Sequence, residues 1–226
     1  GSFPQGWRVM AYGERLYAVT RETAGQELHI FSIVNPRNPI EIFSARYNLN
    51  RTVNDMTVRE QIVDGSLRRY LFLASSANLK ELGIFDVTND IPIEKVAVNL
   101  PNEVDAISLH LQGDNLYLGR RNNSSGPELY LYSVKNLLGG STTTLAINEV
   151  GADVQTIRGT GDFIFLGTNQ EENQFQVWHA DIITGRATTL AIPRLAPLGM
   201  DINENYIYLL SESISQPEMI SVIYTP

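Results

Sequence analysis

The chain has no cysteine among its 226 residues, which excludes disulfides, thiolate metal sites and a cysteine nucleophile. The same absence leaves the cellular compartment open. Long apolar runs are missing too: nothing approaches the roughly 18 consecutive apolar residues of a membrane span. Basic residues are few, 17 Lys and Arg against 25 Asp and Glu, for a net charge of −8. The clustered cations that nucleic-acid phosphates call for are therefore lacking. The paired basics Arg68-Arg69 and Arg120-Arg121 are expected at strand edges, on a solvated face. No stretch carries a sustained helical period. No leader is visible, but the opening Gly1-Ser2 reads as a cloning scar, so an upstream segment is expected to have been lost.

What is present is repetition. A short apolar strand with a central aromatic recurs five times, around Tyr17, Phe72, Tyr117, Phe165 and Tyr208, at separations of 55, 45, 48 and 43 residues. That period suits one four-stranded blade of a β-propeller. Hydrophobic content of 43% is enough for a substantial core. The expected fold is all-β, a single propeller domain of about five blades, with units near 7–48, 49–102, 103–150, 151–195 and 196–226.

Each unit parses into strands A to D, counted from the inside outwards. In the third, Ala106 to Leu111 alternates as strand A and Gln112-Gly113-Asp114 turns the hairpin. Asn115 to Gly119 is strand B, Glu128 to Val134 strand C, and Thr143 to Ile147 strand D. Strand C recurs as 28–34, 82–87, 175–180 and 219–224. Prolines follow it in the first two units, at Pro36, Pro39 and Pro92, where a residue with no N–H to donate ends the ladder. The last unit stops after strand C. Its outer strand is expected from Ser2 to Gly6 or from the lost upstream segment, the alternatives being an open, larger or dimer-completed ring.

The segments Ile30-Phe31-Ser32-Ile33-Val34-Asn35-Pro36-Arg37-Asn38-Pro39 and Leu82-Gly83-Ile84-Phe85-Asp86-Val87-Thr88-Asn89 resemble the LVIVD-repeat propellers. In that family a Leu-Val-Ile-Val-Asp strand precedes Asn-Pro or Asp-Pro and a second proline. Gly113-Asp114-Asn115-Leu116-Tyr117-Leu118-Gly119 is similar to the family's strand B. The similarity spans nearly the whole chain but weakens after two units, and the last two lack the Asn-Pro turn. The resemblance implies a secreted or surface-displayed bacterial propeller, in some bacteria behind a prepilin-like anchor. The family shares no catalytic motif, so the resemblance supplies no active-site residue.

Two features mark where a ligand would sit. The B–C loops, 21–27, 76–81, 120–127, 169–174 and 212–217, are polar, and polar loops on a rigid scaffold commonly carry recognition. Arg120, Arg121 and Asn122 open the third of them. The second feature is a recurring aspartate: Asp105 lies 11 residues before Leu116 and Asp153 lies 11 before Ile164. Asp55 lies 16 before Leu71, the excess being assigned to a longer hairpin around Asp64-Gly65-Ser66. All three then open strand A near the mouth of the channel, with Gln5 and Ala196 at that place in units one and five. They either bond backbone N–H groups at the blade crossings or form a carboxylate ring able to hold Ca²⁺. No cofactor is otherwise expected.

Catalytic constellations are weak. His29, His110 and His179 lie within strands without zinc-ligand spacing, and no G-x-S-x-G elbow occurs. The tripeptides at Asn50, Asn122 and Asn123 fit the N-glycosylation pattern. The expected function is a non-enzymatic display or adhesion module at a bacterial surface, binding protein or glycan through the B–C loops. The alternatives are a structural subunit of a pilus-like appendage and a channel-mouth glycoside hydrolase using the aspartates.

Overall fold

The computed structural model describes residues 6–21, 25–42, 45–122, 126–191, 196–203, 205–213 and 216–224. Alternating apolar strands punctuated by Gly, Asn and Asp turns fold into five small antiparallel sheets, and the architecture is a five-bladed β-propeller. The chain divides into two compact units, Gly1–Ala106 and Ile107–Pro226.

The first unit holds two blades, each pairing its strands in chain order. Blade one is β1 (Gly6–Tyr12), β2 (Arg15–Thr20), β3 (Leu28–Ser32) and β4 (Ile40–Glu41). Blade two is β5 (Val53–Val63), β6 (Ser66–Ser75), β7 (Leu82–Asp86) and β8 (Ile93–Val98). Their shared core gathers Tyr17, Val19, Leu28, Ile30, Val53, Met56, Leu71, Leu73 and Phe85.

The second unit holds blades three to five, again ordered along the chain. Blade three is β9 (Ala106–Gln112), β10 (Asn115–Arg120), β11 (Leu129–Ser133) and β12 (Ala146–Asn148). Blade four is β13 (Val154–Thr160), β14 (Phe163–Thr168), β15 (Phe175–His179) and β16 (Arg186–Leu190). Blade five is β17 (Ala196–Asn203), β18 (Tyr206–Ser213) and β19 (Gln216–Tyr224), three strands among the described residues. Tyr117, Leu129, Val154, Ile164 and Trp178 anchor one core cluster, and Phe165, Phe175, Met200, Ile207 and Leu209 a second. The central aromatics Tyr17, Phe72, Tyr117 and Phe165 are buried. Tyr208 is 38% exposed, because β18 buries only its Ile207 and Leu209 side and leaves Tyr206, Tyr208 and Leu210 on the other.

Five details differ from the sequence reading. Strand C of blade three stops at Ser133, and α1 (Val134–Leu138) follows. Ser133 Oγ accepts the Asn136 N–H at 3.2 Å while donating to Asp114 Oδ2 at 2.6 Å, so a serine cap starts a helical turn. Strand D there is Ala146–Asn148 rather than 143–147. In blade five most of the expected loop 212–217 is strand, with Ser213 paired to Gln216. Residues 2–5, expected as closing strand, lie outside the described residues, and Gly6 belongs to strand A, paired with Thr20.

The fifth difference concerns the hairpin of blade two. Its turn is only Asp64-Gly65, with φ of 52° and 74°, the left-handed pair that suits a two-residue hairpin. The extra length is in the arms: β5 has 11 residues against 7 in β13, and β6 has 10 against 6 in β14. Both arms thus grow by four, eight in all. An antiparallel hairpin with a fixed turn lengthens in residue pairs, since an odd insertion swaps faces unless a bulge absorbs it.

A half-buried imidazole gives the second unit a pH dependence. His110, in β9, stacks on Tyr117 with ring centroids 6.3 Å apart, and its pKa is pulled down to about 4 by burial and by the Arg158 charge. The folded value lies below the ordinary 6.5, so the unfolded chain takes up a proton first and stability falls as pH drops between those values. Replacing His110→Phe is expected to remove on the order of 1–3 kcal/mol of that acid-side loss. Urea titrations of both proteins at pH 7 and pH 4.5 check this; equal acid-side losses would refute it.

Candidate functional site

Strand B ends, and strand C begins, at one repeated pair. Thr20 N–H donates to Glu27 O, Ser75 to Glu81 O, Arg120 to Glu128 O and Thr168 to Gln174 O, at 2.7–3.0 Å. The side chains of Glu27, Glu81 and Glu128 are buried there. Glu27 Oε2 accepts the Leu49 and Asn50 N–H groups at 2.7 and 3.1 Å. Glu128 Oε2 accepts those of Val150 and Gly151 at 2.8 and 3.0 Å. Glu81 takes the Leu100 N–H on Oε2 at 2.9 Å and the Leu79 N–H on Oε1 at 3.2 Å. Asn50 and Gly151 have φ of 50° and 76°, so each connection curls two N–H groups onto one carboxylate as an anion nest. Sequence reasoning missed these glutamates. Their signal is the recurring Glu27-Leu28, Glu81-Leu82 and Glu128-Leu129, with Gln174-Phe175 in blade four.

Strand A is bulged near its start in four blades, between Gly6 and Arg8, Val53 and Asp55, Val154 and Thr156, and Pro197 and Gly199. This register corrects one site expectation. Val53 faces Ser75 and Val154 faces Thr168, so Asp153 corresponds to Thr52, and Asp55 to Thr156. Asp55 sits three residues inside the strand because the hairpin carries eight extra residues rather than five. Its Oδ1 accepts its neighbour Met56 N–H at 2.9 Å. Asp105 directly precedes β9 and is half-buried. Asp153 directly precedes β13; it accepts the Asn122 N–H on Oδ1 at 2.8 Å and Gln155 Nε2 on Oδ2 at 3.3 Å. Asp153 and Asn122 are thus brought together as a loop tie. Among the described residues no three His, Asp or Glu groups converge as metal ligands. Gln5 lies outside those residues.

Arg120 is a second correction. It is not on a solvated face but fully buried, its guanidinium 5.8 Å from the Tyr130 ring centroid. The last residue of strand B is buried in the first four blades, as Thr20, Ser75, Arg120 and Thr168, so register rather than charge decides the outcome. Arg68 pairs with Asp86 and Arg69 with Glu60, while Arg121 is exposed.

One polar cavity of about 130 Å³ lies in the first unit, lined by Tyr47, Asn48, Leu49, Asn50, Arg51, Lys80, Phe85 and Glu94. Arg51 is 2% exposed. Its guanidinium lies 5.6 Å from the Phe85 ring centroid, donates to Lys80 O at 3.0 Å and meets Glu94 Oε1 at 3.2 Å. Burial lowers its pKa, and Glu94 opposes that shift. Lys80 Nζ meets Glu94 Oε2 at 2.8 Å.

No family model matches the sequence, and no curated protein matches it. Solved structures do. A chain from a crystal structure of the mitotic checkpoint complex superposes with a TM-score of 0.67 at 11% identity, over 96% of this chain and 62% of that one. An exo-beta-1,3-galactanase from Phanerochaete chrysosporium superposes with a TM-score of 0.57 at 10% identity, over 90% of this chain and 55% of that one. This chain therefore spans less than two thirds of either, and the likeness is one of fold.

The carboxylate caps define a stability test. Glu128→Ala leaves two amide donors without their charged acceptor and is expected to cost about 3 kcal/mol. Glu128→Gln, which keeps an acceptor oxygen, should cost less than half as much. Urea denaturation of the two variants checks the order; a loss below about 1 kcal/mol for Ala would show that the seam does not depend on this carboxylate.

Proposed function

We propose that this propeller is a non-enzymatic binding module, displayed outside a bacterial cell in the manner of the LVIVD-repeat propellers, and that it recognises glycan or protein through the B–C ends of its blades. One observation carries the reading. At these ends the buried carboxylates Glu27, Glu81 and Glu128, with Asp153, are engaged on backbone N–H groups. Their work is to hold loops in place, and loops held in place bind with a smaller ordering cost. Glycoside hydrolysis needs a facing pair of carboxylates about 5–9.5 Å apart, one of them primed as an acid, and carboxylates committed to backbone are poorly suited to that role. Exposed side chains at the same ends suit recognition: Trp7, 36% exposed, has the Arg21 guanidinium 4.1 Å from its ring centroid.

The reading as a structural subunit of an appendage draws on blade five. Among the described strands β19 pairs on one side only, and Ile220 and Val222 on it are 68% and 55% exposed, as expected of an edge that joins another chain.

Glycan and peptide arrays probed with labelled protein test the proposal. Binding to defined glycans or peptides, at least about tenfold weaker in Trp7→Ala, is the expected result. Turnover of a chromogenic glycoside panel that disappears in Asp105→Asn would replace it with the hydrolase reading. Blank arrays together with concentration-dependent polymers in electron micrographs would replace it with the structural one.

A further inference from the structure

The first unit contains a built pocket whose features blade two alone combines. Residue for residue, strand C opens with Leu28-His29, Leu82-Gly83, Leu129-Tyr130 and Phe175-Gln176, the second member facing Ala18, Leu73, Leu118 and Leu166 respectively. Blade two alone has glycine there. A Cβ on Gly83 would stand 2.6 Å from a terminal nitrogen of Arg51, so the missing side chain makes room for the guanidinium. Glycine inside a strand weakens it, and burying a cation carries a desolvation penalty that a single carboxylate offsets only in part. Here that carboxylate, Glu94, is shared with Lys80.

The guanidinium is not saturated. Its terminal nitrogens hold Lys80 O and Glu94, while among the described residues Arg51 Nε has no acceptor, although it is buried. Arg51 lines the cavity of about 130 Å³. The ionised lining groups are Arg51, Lys80 and Glu94, with an excess of one positive charge. Arg51 Nε itself is enclosed, but the terminal nitrogens, each holding one acceptor, and the half-exposed Lys80 Nζ suit an anionic acceptor. Glu94 and the amides of Asn48 and Asn50 add groups that pair with hydroxyls, and the half-buried Tyr47, edge to face with the buried Phe85 at 5.5 Å, borders them.

We propose that this cavity binds a single acidic sugar residue, with the uronate carboxylate at Arg51 and Lys80 and the ring hydroxyls toward Glu94, Asn48 and Asn50. A lone peptide carboxylate fits less well, because Glu94 in the same wall would repel it without a hydroxyl to engage. This assignment rests on the reading of the B–C ends as a recognition surface, since Lys80 belongs to the second of those loops.

Calorimetric titration of the whole chain with galacturonate, galactose, inorganic phosphate and N-acetyl-glutamate separates the possibilities. Galacturonate should bind and the other three should bind at least about tenfold more weakly. Lys80→Ala, a change at a half-exposed side chain, should weaken galacturonate about tenfold, the loss of one charged contact. Arg51→Gln should abolish binding, with circular dichroism confirming the fold; if that variant does not fold, Gly83→Ser, which crowds the guanidinium, takes its place. No galacturonate binding, equal binding of galactose, phosphate or N-acetyl-glutamate, or binding unchanged in Lys80→Ala overturns the assignment. Array binding to neutral glycans or peptides with no response to galacturonate would overturn this pocket's role while leaving the recognition reading intact.

Discussion

A propeller blade ends where strand D must turn back and begin the next strand A, and that crossing leaves backbone N–H groups without ladder partners. In the first three blades the problem is met by one buried carboxylate at the head of strand C. Glu27, Glu81 and Glu128 reach 19–23 residues ahead to amides such as Leu49, Leu100 and Val150. A neutral acceptor would satisfy the same geometry more weakly; a charged one makes the stronger bond and suffers more if left alone. In these three blades the crossing and the carboxylate therefore support each other. The left-handed residues Asn50 and Gly151 follow from this need, because only a curled backbone points two successive amides at one oxygen.

The same arrangement bears on function. Carboxylates are the raw material of propeller hydrolases and of calcium sites, and here many of them have backbone duties. What varies from blade to blade is the slot beside strand C. Blade one fills it with His29, hydrogen-bonded to Glu41, which the Arg46 guanidinium and His29 hold below the usual carboxylate range. Blade three fills it with Tyr130 beneath Arg120, and blade four with Gln176, which accepts from the Trp178 indole at 2.9 Å. Blade two has no side chain of its own there, and the Arg51 guanidinium takes the space. The occupant of this slot thus changes from blade to blade while the hydrogen bonds of Glu27, Glu81 and Glu128 recur.

The fold was legible because strand periodicity and the aromatic repeat describe the same sheets that pack. Phe72, Tyr117 and Phe165 mark central strands covered on both sides, and the pattern needs no long-range information. Register was harder. Asp55, Asp105 and Asp153 look alike when counted from strand B, but counting cannot show whether extra residues lengthen a turn or its arms. The arms took them, and Asp55 lost its equivalence. Arg120 was misread because composition treats arginine as a surface residue, while the position it occupies is buried in its sister blades as Thr20, Ser75 and Thr168. The glutamate caps escaped notice because Glu beside a polar loop looks like solvated charge, and their partners are main-chain amides that carry no sequence signature. α1 depended on a serine and an aspartate, Ser133 and Asp114, meeting across two strands.

The stretched hairpin of blade two shows how such a repeat can drift. With Asp64-Gly65 fixed at the tip, viable additions to the gene arrive two codons at a time, one for each arm, so that inward-facing side chains stay inward. An aligner that opens a gap of odd length here would match core positions to surface ones and report divergence where the blades are alike. Kinship among chains of this type is then better traced by the residues that face each other across β5 and β6 than by their order along the chain.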